Sequence, residues 1–178
     1  MADFRDYLDN AEYFLDEAKG ANAQKLRGPL ERCIIGSILF SWISLESFIN
    51  NMMIDFSALP EGAFPLPEQA FLSEHELEFS DSGDNAGKFF ISNRKRYRPL
   101  EHKILFLVAK FGKGTKFDKG GVLWQKFESM KDIRDQLTHP RKSDAVDLTL
   151  QNAEDALQVS KEIILIVSEK VWGKPTSL

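Results

Sequence analysis

At 178 residues and 20.3 kDa the chain fits one domain with a real core, and 43% hydrophobic residues, including 14 Phe and 3 Trp, exclude a disordered chain. The single cysteine, Cys33, excludes a disulfide framework and a multi-cysteine zinc site, and it fits a reducing compartment, the cytoplasm. The net charge of −4 excludes a wholly cationic surface but hides a segregation: residues 94–142 hold 14 of the 23 basic and 5 of the 27 acidic residues. Such a basic half is either a polyanion footprint or the pairing partner of the acidic remainder.

The chain reads as all-α, a bundle of about five helices forming one domain over 1–178. The acidic, polar start MADFRDYLDN carries no secretory signal pattern. A first helix is expected over 3–19, with Phe4, Leu8, Ala11, Leu15 and Ala18 on one stripe, Asp3 as N-cap and Gly20 as its stop. A second, long helix opens at Gly28-Pro29 and runs to about Phe56. It is apolar nearly all round, which marks a central helix. Gly36, Ser37, Ser41 and Ser44 interrupt its apolar run, which falls short of the roughly 20 residues of a membrane span. Glu46 and Asn50 lie one turn apart on it. Residues 57–98, rich in proline but also in phenylalanine, read as an irregular insertion packed on the bundle, with a short helix or hairpin. It ends in Asn-Arg-Lys-Arg-Tyr-Arg, where bases beside an aromatic suit either a nucleic-acid backbone or a solvated loop. A third helix follows Pro99 to Gly112, a fourth covers about 121–137, and a fifth starts from Thr149 as N-cap and stops at Gly173.

Common catalytic signatures are missing. The three histidines, His75, His102 and His139, form no HxxxH or HExxH pair, and GKGTK lacks the spacing of a phosphate-binding loop. No cofactor or metal site is expected. On the fourth helix Leu123, Phe127, Met130, Arg134 and Leu137 follow the spacing of a buried stripe, so Arg134 stands where an apolar residue is expected. A buried guanidinium demands an anion, either a carboxylate such as Glu46 or a ligand phosphate. Pro140 ends the helix at His139, where the dipole favours a cation. A guanidinium and an imidazole at one helix end suit phosphodiester chemistry, the first for phosphate charge and the second for proton transfer.

The segment KDIRDQLTHP, preceded by the long helix reading SWISLESFINNMM and followed by an amphipathic helix, resembles the HEPN superfamily (higher eukaryotes and prokaryotes nucleotide-binding domain). Arg134, Asp135 and His139 match that family's Arg-x(4–6)-His motif, although many members carry Asn where this chain has Asp135. The resemblance implies an all-α bundle, a homodimer with two motifs meeting at its interface, and a metal-independent endoribonuclease. The RNA 2′-hydroxyl then attacks, leaving a 2′,3′-cyclic phosphate. Arg134 and His139 become the catalytic pair, with Asp135, Thr138 and Glu46 in support. Lys131, Arg141 and Lys142, and at a distance in sequence Arg94 and Arg96, become candidate RNA contacts. Members act as toxins silenced by an antitoxin, in phage defence or in RNA processing. Others are non-catalytic interaction or nucleotide-binding modules, the alternative for this chain.

Overall fold

The computed structural model describes residues 3–60, 62–83, 86–139 and 148–178. Among them are six helices and one hairpin: α1 (Phe4–Ala23), α2 (Arg27–Ser57), α3 (Leu66–Leu72), β1 (His75–Phe79), β2 (Phe89–Lys95), α4 (Leu100–Phe111), α5 (Val122–Thr138) and α6 (Leu150–Trp172). The fold is predominantly helical, as expected. The five expected helices are present, and α3 adds a sixth within the 57–98 segment. The chain divides into two compact units, one of Met1–Phe48 with Leu107–Leu178 and the other of Ile49–Phe106, with both divisions falling inside helices, α2 and α4. The second unit is therefore wider than residues 57–98.

In the first unit, α1 opens with a reciprocal cap. The Asp3 side chain accepts from the helix N-terminus and Asp6 Oδ2 accepts from Asp3 N–H at 2.7 Å. The expected stripe of Phe4, Leu8, Ala11, Leu15 and Ala18 is buried. Gly20 does not stop the helix. Ala21 continues the stripe into the core, and α1 ends only at Ala23, where Gln24 N–H donates to Gly20 C=O. Burial of one more turn outweighs the roughly 1 kcal/mol that glycine costs in a helix.

Against α1 lies α2, through its small residues. Ser37 Oγ donates to Ala11 C=O at 3.0 Å and Ser44 Oγ to Phe4 C=O at 2.8 Å, all buried. Gly36 is needed for this approach, since a Cβ there would lie 2.8 Å from the Phe14 ring. From α6, Ser160 Oγ donates to Ser41 C=O at 2.8 Å. Ile34, Ile38, Trp42, Leu45 and Phe48 are buried, while Ile43 is exposed, so the helix is not enclosed on every side. By length and composition α2 could cross a membrane: an 18-residue stretch has mean hydropathy 1.5, and half of it is buried. Its buried serines bonded to α1 and α6 are the pattern of a core helix.

Trp124, Phe127 and Met130 of α5 are buried, with Leu123 and Leu137 only partly so. Trp124 thus takes the core position expected of Leu123. Thr149 caps α6 with Asn152, and Gly173, at φ 74°, ends it in the left-handed conformation.

In the second unit, α3 follows Pro65, with Ala70 and Leu72 buried. Next, β1 and β2 pair antiparallel, with Phe79 opposite Phe89, Leu77 opposite Ile91 and His75 opposite Lys95. Two steps on β1 thus face four on β2, a bulge that breaks the alternation of β2. Lys103 of α4 is buried. Its ammonium lies 2.8 Å from Glu74 Oε1 and donates to Asn50 Oδ1 at 2.7 Å.

Candidate active site at the end of α5

Two helices, α2 and α5, build the site. Trp42 and Glu46 sit one turn apart on α2, and Trp42 Nε1 donates to Glu46 Oε2 at 3.2 Å. The indole stacks on Phe127 of α5, ring centroids 5.7 Å apart and planes 16° apart, and Phe127 in turn meets Trp124 at 5.1 Å. Seven residues after Phe127, two turns along the same helix, Arg134 lays its guanidinium over the Trp42 ring. Its Cζ is 4.5 Å from the Trp42 ring centroid. Arg134 Nη1 donates to Asp135 Oδ1 at 2.7 Å, and Nη2 lies 3.7 Å from Glu46 Oε2. The nearest carboxylate is therefore that of Asp135, with Glu46, named from the sequence, at ion-pair distance.

Burial departs from expectation. The Arg134 side chain keeps 25% of its surface in solvent, and those of Glu46 and Asp135 keep 41% and 45%. The stripe turns outward over the last two turns of α5, so Arg134 sits at its edge with its guanidinium over the indole. At this exposure each ion pair is weak and exchangeable, so an entering anion displaces a carboxylate at little cost.

At Thr138 α5 ends. His139 has φ −130° and ψ 60°, outside helical geometry, and its N–H donates to Asp135 C=O at 2.9 Å. Pro140, credited with stopping the helix, lies outside the described residues. The His139 side chain is exposed, one turn beyond Asp135. Thr138 Oγ1 donates to Arg134 C=O at 2.9 Å, so this candidate support satisfies its own helix end. Arg134, Glu46, Asp135, Thr138 and His139 thus gather at one helix end.

The other candidates do not all join them. Lys131 is half-buried on α5, one turn before Asp135. Arg141 and Lys142 lie outside the described residues. Arg94 and Arg96 belong to the second unit, on β2 and just after it. Sequence reasoning missed Trp42 as the platform. The available signal was its i, i+4 relation to Glu46 on a helix already read as central. Among the described residues no group of three or more His, Cys, Asp or Glu side chains is placed to hold a metal ion. Comparison with models of known protein families, with characterised proteins and with solved structures finds no match to this chain.

Proposed function

We infer that the chain is an endoribonuclease of the HEPN type, acting in the cytoplasm through Arg134 and His139. The observation that carries this reading is a part-exposed guanidinium, stacked on Trp42, beside an exposed histidine at the end of one helix. An RNA phosphate would replace Glu46 or Asp135 on the Arg134 fork. The adjacent 2′-hydroxyl then attacks phosphorus while an imidazole takes its proton, and the guanidinium bears the charge gathering on the phosphorane oxygens. The P–O5′ bond breaks, the leaving oxygen gains a proton, and the products are a 2′,3′-cyclic phosphate and a 5′-hydroxyl. One imidazole serves one of the two proton transfers, and a homodimer with paired motifs supplies a second. A toxin held by an antitoxin, or a phage-defence effector, is the biological role the resemblance suggests.

A second reading has its own support. Arg134 already meets two carboxylates and an indole of its own chain, the arrangement of a structural arginine in a non-catalytic interaction module. Incubation of the pure protein with mixed RNA in EDTA separates the two. The ribonuclease yields fragments with cyclic phosphate ends, loses activity in His139→Ala, and spares RNA methylated at the 2′-oxygens. Intact RNA with wild-type protein, or cleavage retained in His139→Ala, rejects the catalytic reading.

A further inference from the structure

The second unit carries a cationic surface of its own. Residues 94–98 read Arg-Lys-Arg-Tyr-Arg, four cations around one aromatic. Tyr97 is 80% exposed, more than any other large hydrophobic side chain among the described residues. An aromatic so exposed commonly sits on a loose loop, but this one is tied on both sides. Arg96 N–H donates to Glu74 C=O at 2.8 Å, and Arg98 N–H donates to Glu74 Oε1 at 2.9 Å. The Arg98 guanidinium lies 5.3 Å over the Phe71 ring.

Glu74 is itself anchored by the buried Lys103 and, through it, by Asn50. Its φ of 53° is a backbone conformation that side-chain-bearing residues rarely adopt, held here by contacts on its backbone and its carboxylate alike. The clamp fixes the backbone from which the phenol projects. Around it, Lys95 and Arg96 are exposed, and Arg94, 77% exposed, meets Glu78 only at 3.7 Å.

We propose that residues 94–97, held by the Glu74–Lys103 clamp, form a docking surface for single-stranded nucleic acid. Tyr97 stacks on one base while Arg94, Lys95 and Arg96 follow the phosphates. Preorganisation matters here because a segment already fixed loses little entropy on binding. A duplex fits poorly, because its base faces are covered by their neighbours. An anionic bilayer fits less well than a strand. The other exposed aromatics of the hairpin, Phe79 and Phe89 at 57% and 60%, sit at its turn end, where the polar, acidic Ser-Asp-Ser-Gly run of 80–83 opposes insertion. The surface needs no chemistry at Arg134 or His139.

The test is fluorescence anisotropy with a labelled 15-nucleotide 2′-O-methyl RNA, which the proposed cleavage cannot consume, and with single-stranded DNA of the same sequence. Both strands should bind, more weakly as salt rises. Tyr97→Ala should weaken binding on the order of tenfold with no change in melting temperature, and Tyr97→Phe should stay near wild type. Replacing Arg94, Lys95 and Arg96 together by Gln should lower the slope of log Kd against log salt by about 2. In an Arg134→Ala background, whatever its own affinity, Tyr97→Ala should still weaken binding on the order of tenfold, so failure of the ribonuclease reading leaves this result standing, and the converse holds. Wild-type affinity in Tyr97→Ala, equal affinity for duplex, or co-sedimentation with phosphatidylserine vesicles without strand binding would overturn the proposal.

Discussion

Arg134 is held by contacts that are individually weak. Each half-exposed ion pair contributes about 0.2–1 kcal/mol and the indole stacking about 0.5–1 kcal/mol. Arg134→Ala should therefore cost about 1 kcal/mol, a fall of about 2–4 °C in Tm for a chain of this size, far below the cost of unpairing a buried charge. On the ribonuclease reading the same change lowers kcat by about 10²–10³, and Arg134→Lys restores stability but little of the rate. Thermal melts and a cleavage assay on both variants read the two effects separately. The meeting of Arg134 with Glu46 was legible because a cation in an apolar stripe needs an anion. Trp42 as its platform was not, because an indole in a central helix reads as core and nothing in its spacing shows that a guanidinium also covers it. Glu74 supports a pH prediction. Burial pushes its carboxyl up, but the Arg98 N–H, the Lys103 hydrogen bond and the charges of Lys103 and Lys95 outweigh this and hold it below the ordinary value. A group depressed in the folded state stabilises fully above its unfolded pKa, about 4.3, and loses that contribution as pH falls toward the lowered value. Melts from pH 7 to pH 3 should show a steeper acid loss in wild type than in Glu74→Gln.

Helix boundaries were legible where a cap writes them in the sequence. The Asp3 and Thr149 caps and the Gly173 stop stand where the residues placed them. Gly20 misled, since a stop signal loses to a buried residue one position later. The sequence offers the hairpin only as an alternative to a short helix, and the reason is physical. His75-Glu76-Leu77-Glu78-Phe79 alternates over just five residues, and the bulge erases the alternation of β2. The strongest element-scale expectation concerns α2. Ile38 is 0% exposed, so Ile38→Asp places an unpaired charge in the core and should cost more than about 4 kcal/mol. Chemical denaturation measures this loss, and a midpoint near wild type would mean that α2 is not a core helix.

For the whole molecule, the charge segregation resolves in part. Lys103 with Glu74, Lys126 with Asp155, Arg134 with Glu46 and Arg94 with Glu78 each join a cation of residues 94–142 to an acid from outside them. The pairing of basic and acidic segments thus accounts for several cations, and the exposed Lys95 and Arg96 remain as a local surplus. The composite site of the ribonuclease reading makes its own demand at this scale. Light scattering at micromolar concentration should give about twice the 20.3 kDa chain mass. Monomers at all concentrations would leave one imidazole to serve two proton transfers and count against that mechanism.

The bond from Ser160 to Ser41 joins residues 119 positions apart. On a ribosome adding about 5–20 residues per second, the face of α2 destined for α6 waits about 6–24 s for its cover. Throughout that interval the nascent chain carries a 31-residue helix-forming segment near its N-terminus, apolar enough to engage membrane-insertion machinery or a chaperone. Ser37 and Ser44 bond to α1, which precedes α2 in the chain, and the other side is fastened only when Ser160 of α6 reaches the Ser41 carbonyl. A chain ending at residue 148, before α6, should keep α2 uncovered for good. Expressed beside the full-length protein, it should pellet or remain chaperone-bound, while the full chain stays in the supernatant.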